Sequence, residues 1–365
     1  MAGRIESRVG VVNRILAERD GCTEILVSID DRLEKAINYV DLTGKVAPGD
    51  RVLLNTTAVN LRLGTGGYHF VRVNLTRPET ELSGPGHIMK LRYTPEQVKG
   101  LSVEEEAAGF QEIFNRFESL EGFPAVIFSL HSVLAPLVIS FKLIRATGKI
   151  TYIMTDGGAL PASFSHTLAD LKDAELIHKV ITCGHAFGGD YEAVNIFSAL
   201  IAAKEIIGAD VAVIGMGPGI VGTGIKWGFS GIQLGEAINA VNILGGRPVF
   251  CPRISFADPR ERHRGISHHS LTILSKVALT PAIVVMPHLP SSREKVLQEQ
   301  LAAAGIYEKH SIIWEHGERG LEKLKETSFS FCTMGRNLDE EREFFLGACA
   351  GGIYAGKISG QVGLN

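Results

Sequence analysis

From about residue 124 onward the chain repeats one order: an apolar run, a loop, and a stretch with helical periodicity. The runs are PAVIFSL, KITYIMT, KVITCG, ADVAVIG, RPVFCP, AIVVMP and HSIIW. Each is apolar at consecutive positions rather than at every second one, so both faces of the strand it forms need cover. That is the pattern of a parallel sheet sandwiched between helices. The best-marked intervening helix is expected over 190–207, with Asp190 as N-cap, Val194, Phe197, Leu200 and Ile201 as its apolar stripe, and Gly208 just past its end. Seven such strands predict a doubly wound, mostly parallel α/β domain of Rossmann-like class over residues 86–365. The most apolar stretch, Pro124–Phe141, is interrupted by Ser129, His131, Ser132, Pro136 and Ser140, and reads as a strand followed by a helix rather than a membrane span.

Residues 1–85 obey a different rule. Short β-branched runs (RVGVVNRIL, EILVSI, AINYV, RVLLN and the Gly-rich LGTGGYHFVRVNL) alternate with turn signals such as VAPGD, which predicts a small antiparallel β-barrel or sandwich. OB-like barrels often bind oligonucleotides. This segment, however, carries 11 basic and 11 acidic residues, and its aromatics are Tyr39, Tyr68 and Phe70, so a packing or dimerisation module is the better expectation. Pro78, Ser83, Gly84, Pro85 and Gly86 mark a linker. Beyond it, Ser102 and Glu105 have capping-box spacing ahead of a helix expected over about 102–120.

Composition narrows the function classes. The 365 residues are 45% hydrophobic and 21% charged, enough apolar surface for two cores. The balance of 37 basic against 40 acidic residues, a net charge of -3, gives no field for steering nucleic acid or an anionic membrane. Cys22, Cys183, Cys251, Cys332 and Cys349 are scattered and form no CxxC, so neither a disulfide framework nor a thiolate zinc site is indicated. The N-terminal MAGRIESRVGVVNRIL lacks the layout of a secretory signal, so a cytoplasmic location is expected, and the Asn-x-Thr matches at Asn55 and Asn74 read as chance.

In open parallel sheets, ligands bind beyond the carboxyl ends of the strands. The residues just past the apolar runs are His131 and Ser132, Asp156 with Gly157 and Gly158, His185 to Asp190, the loop from Gly215, Arg253, His288, and Glu315 with His316. The loop GMGPGIVGTGIKWGFSG, Gly215–Gly231, holds seven glycines in 17 residues, far longer than a usual connection of ~2 to 6 residues. Gly217, Gly219 and Gly222 form GxGxxG, but Pro218 intrudes and no acidic residue ends the next strand, which argues against a dinucleotide fingerprint. Ile225 stands where a P-loop lysine belongs. What survives is a loop whose backbone N–H groups could approach an anion, with Gly222, Thr223, Gly224 and Lys226 as its tip, or one whose glycines only permit tight packing or lid motion.

Asp156 is read as general base, metal ligand or hydrogen-bond acceptor, against a turn or cap role; His185 and Asp190 flank a Gly-Gly turn, and Asp190 also fits a cap. The segment RERHRGISHHS, 260–270, gathers three arginines and three histidines. His268 and His269 lie about 100° apart on a helix, so one of them is expected to face the site as acid/base, with Arg264 as an anion ligand. A divalent metal would have to be assembled from separate loops, because no HExxH or HxH is present. No GxSxG nucleophile elbow occurs either.

The segments GDRVLLNTTAVNLRLGTGGYHFV, YIMTDGGALPASFS, HAFGGDYEAVN, GTGIKWGFSG and HRGISHHSLT together resemble a bacterial family of uncharacterised proteins, a domain of unknown function, over Gly49–Thr272. The resemblance implies a cytoplasmic bacterial protein and carries no activity or site. From the residues themselves the expectation is an enzyme, hydrolase or transferase, that binds a small phosphorylated or nucleotide-like anion, with no nucleic-acid or membrane partner and with self-association left open. The alternative is a non-catalytic ligand-binding or assembly protein whose barrel contacts a partner.

Overall fold

The computed structural model of the chain describes residues 4–64 and 66–359. It divides into two compact units. One takes the residues up to Gly100 together with Ser163–Ala169, and the other takes Leu101–Ala162 and the residues from Asp170 onward.

In the first unit the β-branched runs form β1 (Ser7–Arg19), β2 (Cys22–Ile29), β3 (Arg32–Tyr39), β4 (Arg51–Asn55) and β5 (Tyr68–Asn74). They close into a barrel of order β1-β2-β3-β5-β4. The expected barrel is present, but it is not wholly antiparallel, because β3 and β5 pair in parallel. That pairing is available because the chain crosses from β3 to β5 by way of β4 instead of by a hairpin. Alternate residues Val12, Ile25, Val27, Ala36, Val52, Leu54 and Val71 fill the interior. A small hairpin comes next, β6 (Ile88–Lys90) with β7 (Val98–Gly100).

The second unit contains all seven expected strands: β8 (Pro124–Phe128), β9 (Ile150–Thr155), β10 (Lys179–Cys183), β12 (Val211–Met216), β13 (Arg247–Cys251), β16 (Ile283–Pro287) and β17 (Ser311–Glu315). An eighth, β11 (Tyr191–Ala193), joins them at one edge. The order β11-β10-β9-β12-β8-β13-β16-β17 is parallel throughout. A two-residue pair, β14 (Ile254–Ser255) with β15 (Gly265–Ile266), stands outside it. Every residue of β8, β9 and β12 is buried, as runs apolar on both faces require. Ala125 and Ile127 pack with Leu234, Ile238 and Leu297 from the helices of one layer. On the other side, helix Leu134–Ile144 packs against helix Arg342–Ile358, where a side chain at Gly352 would run into the Leu137 carbonyl. Among the described residues no helix is long and apolar enough to cross a membrane.

Two local expectations change. The helix expected from Asp190 starts at Ile196, capped by Asn195, whose Oδ1 accepts from the N–H groups of Phe197 (2.9 Å) and Ser198 (3.2 Å). Asp190 instead accepts from Val180 N–H at 2.7 Å and pairs with Lys172 at 3.1 Å. It therefore ties the start of β11 to the start of β10, at the amino edge of the sheet. The helix expected over 102–120 is broken by Gly109 at φ 79°, which leaves a short turn at Glu106–Ala108 and a helix at Gln111–Arg116. The Ser102–Glu105 pairing nonetheless forms, with Ser102 N–H donating to Glu105 Oε1 at 2.8 Å.

The strand order locates the crevice. β8 and β12 are neighbours, yet β8 sends its chain one way to β9 and β12 sends its chain the other way to β13. Loops diverge there, so a ligand can enter at the carboxyl ends of those strands.

Candidate functional site

Two uncharged side chains meet at the end of β12. His131 Nδ1 donates to the Met216 carbonyl at 3.2 Å, and the Tyr152 hydroxyl donates to the same oxygen at 3.0 Å. A carbonyl only accepts, so Nδ1 carries the ring proton. Desolvation pushes the His131 pKa down to about 4. Beside it, Ser132 donates to Thr333 Oγ1 at 2.9 Å, which brings a loop from the far end of the chain to the end of β8.

The charged part lies one strand further on. Arg253 stands two residues past the end of β13 and is only 6% exposed; its Nη2 meets Asp258 Oδ2 at 2.6 Å. Arg260 also holds Asp258 with two side-chain bonds, at 2.9 and 2.8 Å, and Arg336 lies 3.6 Å from it. Hydrogen bonds from Arg260, reinforced by Arg253, outweigh burial and hold the Asp258 carboxyl far below the carboxylate range. Arg336 in turn donates to Glu341.

Three histidines adjoin this array. His268 and His269 open the helix His268–Thr272, capped by Ser267. Their ring centroids are 4.2 Å apart, and His263 lies 4.9 and 5.2 Å from them. The 100° divergence expected to separate the pair does not do so, because both sit in the first turn and the 260–267 loop folds His263 back onto them. His263 Nδ1 meets Ser267 Oγ at 2.8 Å. Burial first lowers the pKa of all three, followed by the arginines at His263 and His268 and by His268 and then the arginines at His269: His263 to about 3, His269 to about 4, and His268 downward. They are neutral at pH 7. Nε2 of His268, Nε2 of His269, Arg336 Nη2 and Glu341 Oε1 are buried with no hydrogen-bond partner among the described residues.

The glycine loop reaches this cluster. Phe229 stacks on His269 with centroids 4.0 Å apart and planes 9° apart. A Cβ at Gly222 would stand 3.1 Å from His269 Cε1 and 3.4 Å from its Nε2, so the backbone lies over the ring edge. The tip is a self-bonded hairpin: Thr223 N–H and its hydroxyl both donate to the Gly228 carbonyl, at 2.8 and 3.0 Å, and Val221 N–H donates to Ser230 Oγ. Gly219 (φ 102°) and Gly224 (φ 85°) adopt backbone conformations that side chains disfavour. Gly217 is a packing glycine, with Met154 Cε 2.7 Å from where its Cβ would be. Lys226 is exposed and sits 5.5 Å above the Trp227 ring.

The remaining candidates lie elsewhere. Asp156, at the end of β9, is half-buried beside Gly184, with Gly157 against Met216 and Gly158 against Leu160. Among the described residues no hydrogen bond or ion pair joins its carboxylate to His268 or His269. His185 is half-buried in the loop after β10. Arg264 is exposed and lines a separate cavity of about 450 Å³ with Phe256, Arg293 and Gln300. Asp190, as described, is at the opposite edge. No group of three or more His, Cys, Asp or Glu side chains is placed to hold a metal ion among the described residues.

One family model, "Protein of unknown function (DUF3866)", matches residues 35–352. The chain belongs to this family. The DUF3866 match begins inside the barrel and runs through both Arg253 and the histidines into the last helix. No curated protein matches the chain.

The sequence places Arg253 at the carboxyl edge without a role for it, and does not single out Asp258, Arg336 or Glu341. Arg253 had a signal, its place just past a strand, and Asp258 lies just ahead of the cationic segment. Arg336 and Glu341 arrive from some 80 residues downstream and had none.

Proposed function

We propose that the protein binds a small anionic, phosphorylated or nucleotide-like metabolite at the carboxyl ends of β8, β12 and β13, and that His268 and His269 exchange a proton with it. The chemistry that fits is hydrolysis or group transfer. The observation that carries this reading is the pair of buried, unpartnered Nε2 atoms. More than nine in ten buried polar groups in native proteins find a partner, so two neighbouring rings that each lack one support a ligand as the missing partner. Charge supports the same reading: among the described residues Arg253, Arg260 and Arg336 pair with two carboxylates, Asp258 and Glu341, and the exposed Arg262 adds its charge to the field that keeps His268 and His269 neutral. A neutral imidazole can accept the proton of an attacking hydroxyl, and the surplus guanidinium charge can hold the anion as it does so. Because Gly222 covers His269, the loop has to lift for the ligand to enter.

The test is a thermal-shift screen with nucleotides, sugar phosphates and carboxylates, run on the native chain and on a His268→Ala, His269→Ala double variant. A ligand at 100 times its Kd stabilises by about 2.7 kcal/mol, a shift of a few degrees. The expected result is an anion-selective shift that the double variant loses; an equal shift in both proteins would overturn the site.

A second reading, non-catalytic binding or assembly through the barrel, is favoured by one observation. Val11, Ser28 and Leu33 lie in register across β1, β2 and β3, and Val11 and Leu33 are exposed on the outer face. Leu33→Glu that disperses an oligomer without affecting ligand binding would support it.

A further inference from the structure

A second pair of histidines lies at the far end of the same edge. β16 and β17 run in register up to Pro287 opposite Glu315, so the next residues, His288 and His316, come out side by side. His288 N–H donates to the Glu315 carbonyl at 3.0 Å and extends the ladder by one rung. The two rings have centroids 4.3 Å apart and planes inclined by 30°. A carboxylate on the helix after its strand holds the His288 ring from behind, and another lies at longer range behind the His316 ring. His288 Nδ1 meets Glu294 Oε1 at 3.0 Å, and His316 Nδ1 lies 3.5 Å from Glu318 Oε2. Glu294 is itself fixed by Leu289 N–H at 2.9 Å. The side chains of His288 and His316 are 39% and 74% exposed, and among the described residues neither Nε2 has a partner.

We propose that His288 and His316 form a two-imidazole site for a borderline divalent cation of the zinc, nickel, cobalt or copper class, with water completing the coordination. A carboxylate on Nδ1 leaves Nε2 as the metal-facing lone pair and fixes the ring, the usual support behind a metal-bound imidazole. Neutral nitrogen ligands select this cation class over magnesium or calcium. The surroundings favour a dication: Glu294, Glu315 and Glu318 stand against Lys357, which is bound to Glu315. Two protein ligands are fewer than a structural metal centre uses, so the cation exchanges with solvent and is not part of the fold. The site is independent of the anion site proposed above.

Trp314, whose ring centroid is 6.0 Å from that of His288, reports on it. The chain has two tryptophans, and the other, Trp227, is exposed, so Trp227→Phe leaves a single reporter. In that full-length background Ni²⁺ or Cu²⁺ should quench the fluorescence saturably, EDTA should restore it, Zn²⁺ should compete, and Mg²⁺ should do nothing. His288→Ala and His316→Ala should each weaken the apparent affinity at least about tenfold, and Glu294→Gln, which keeps both ligands, by about 10 to 100-fold. Absence of saturable quenching, or quenching of equal affinity in the histidine variants, overturns the site.

Discussion

Two carboxylates on one edge of one sheet have opposite surroundings. Asp156, beyond β9, is half-buried, and its carboxylate has no hydrogen bond or ion pair among the described residues; Asp258, beyond β13, is 3% exposed and is held by Arg253 and Arg260 with Arg336 close by. The first looks like a catalytic group because it stands open. The second is the costlier arrangement, since taking a carboxylate and a guanidinium out of water is repaid only by good mutual geometry. Next to that costly array, and not next to Asp156, lie the orphaned histidine nitrogens. The saturated carboxylate orients three arginines, whereas the open one orients none among the described residues.

Breaking the array should have the largest effect. Asp258→Ala strands Arg253 as a buried, unpaired charge and should cost about 3–5 kcal/mol of unfolding free energy, read by chemical denaturation. Acid should come next. The folded pKa values of His131, His263 and His269 lie at about 4, 3 and 4, below an unfolded value of ~6.5. The unfolded chain therefore binds more protons in that window. The stability from these neutral rings is complete above pH 6.5 and is lost as pH falls toward 4, by at most about 1.4 kcal/mol per pH unit per ring, less where solvent reaches it. Denaturation at pH 7, 6 and 5 should show this slope, and His263→Asn should flatten it. Gly222→Val, which presses a side chain against His269, should cost about 1–3 kcal/mol as overpacking and should abolish anion binding in the thermal-shift screen. Asp156→Asn should change stability by no more than about 0.5 kcal/mol. A loss comparable to that of Asp258→Ala would erase the contrast between the two carboxylates.

The sheet was legible because consecutive apolar residues leave few other solutions: all seven runs are strands, and the barrel strands result from alternation and turns. β11 was not legible. Its three residues, Tyr-Glu-Ala, carry no apolar run, and Asp190 has the identity of a helix cap while its carboxylate serves a neighbouring strand. The candidate site was legible in its local parts, the glycine loop and the cationic segment, which lie far apart in sequence. Their meeting at His269 is a tertiary fact set by the crossover from β12 to β13. Arg336 and Glu341 depend on a loop whose path is fixed by contacts such as Ser132–Thr333, 201 residues apart in sequence.

In the proposed site, His268 and His269 present neutral ring nitrogens to a bound anion. Histidine-selective ¹⁵N NMR of the full chain at pH 7, titrated with inorganic phosphate and pyrophosphate and assigned with single histidine variants, tests it most directly. The expected result is two neutral rings whose Nε2 signals shift together and saturate with one of these anions. Protonated rings at pH 7, or Nε2 signals unmoved by both anions, would contradict it.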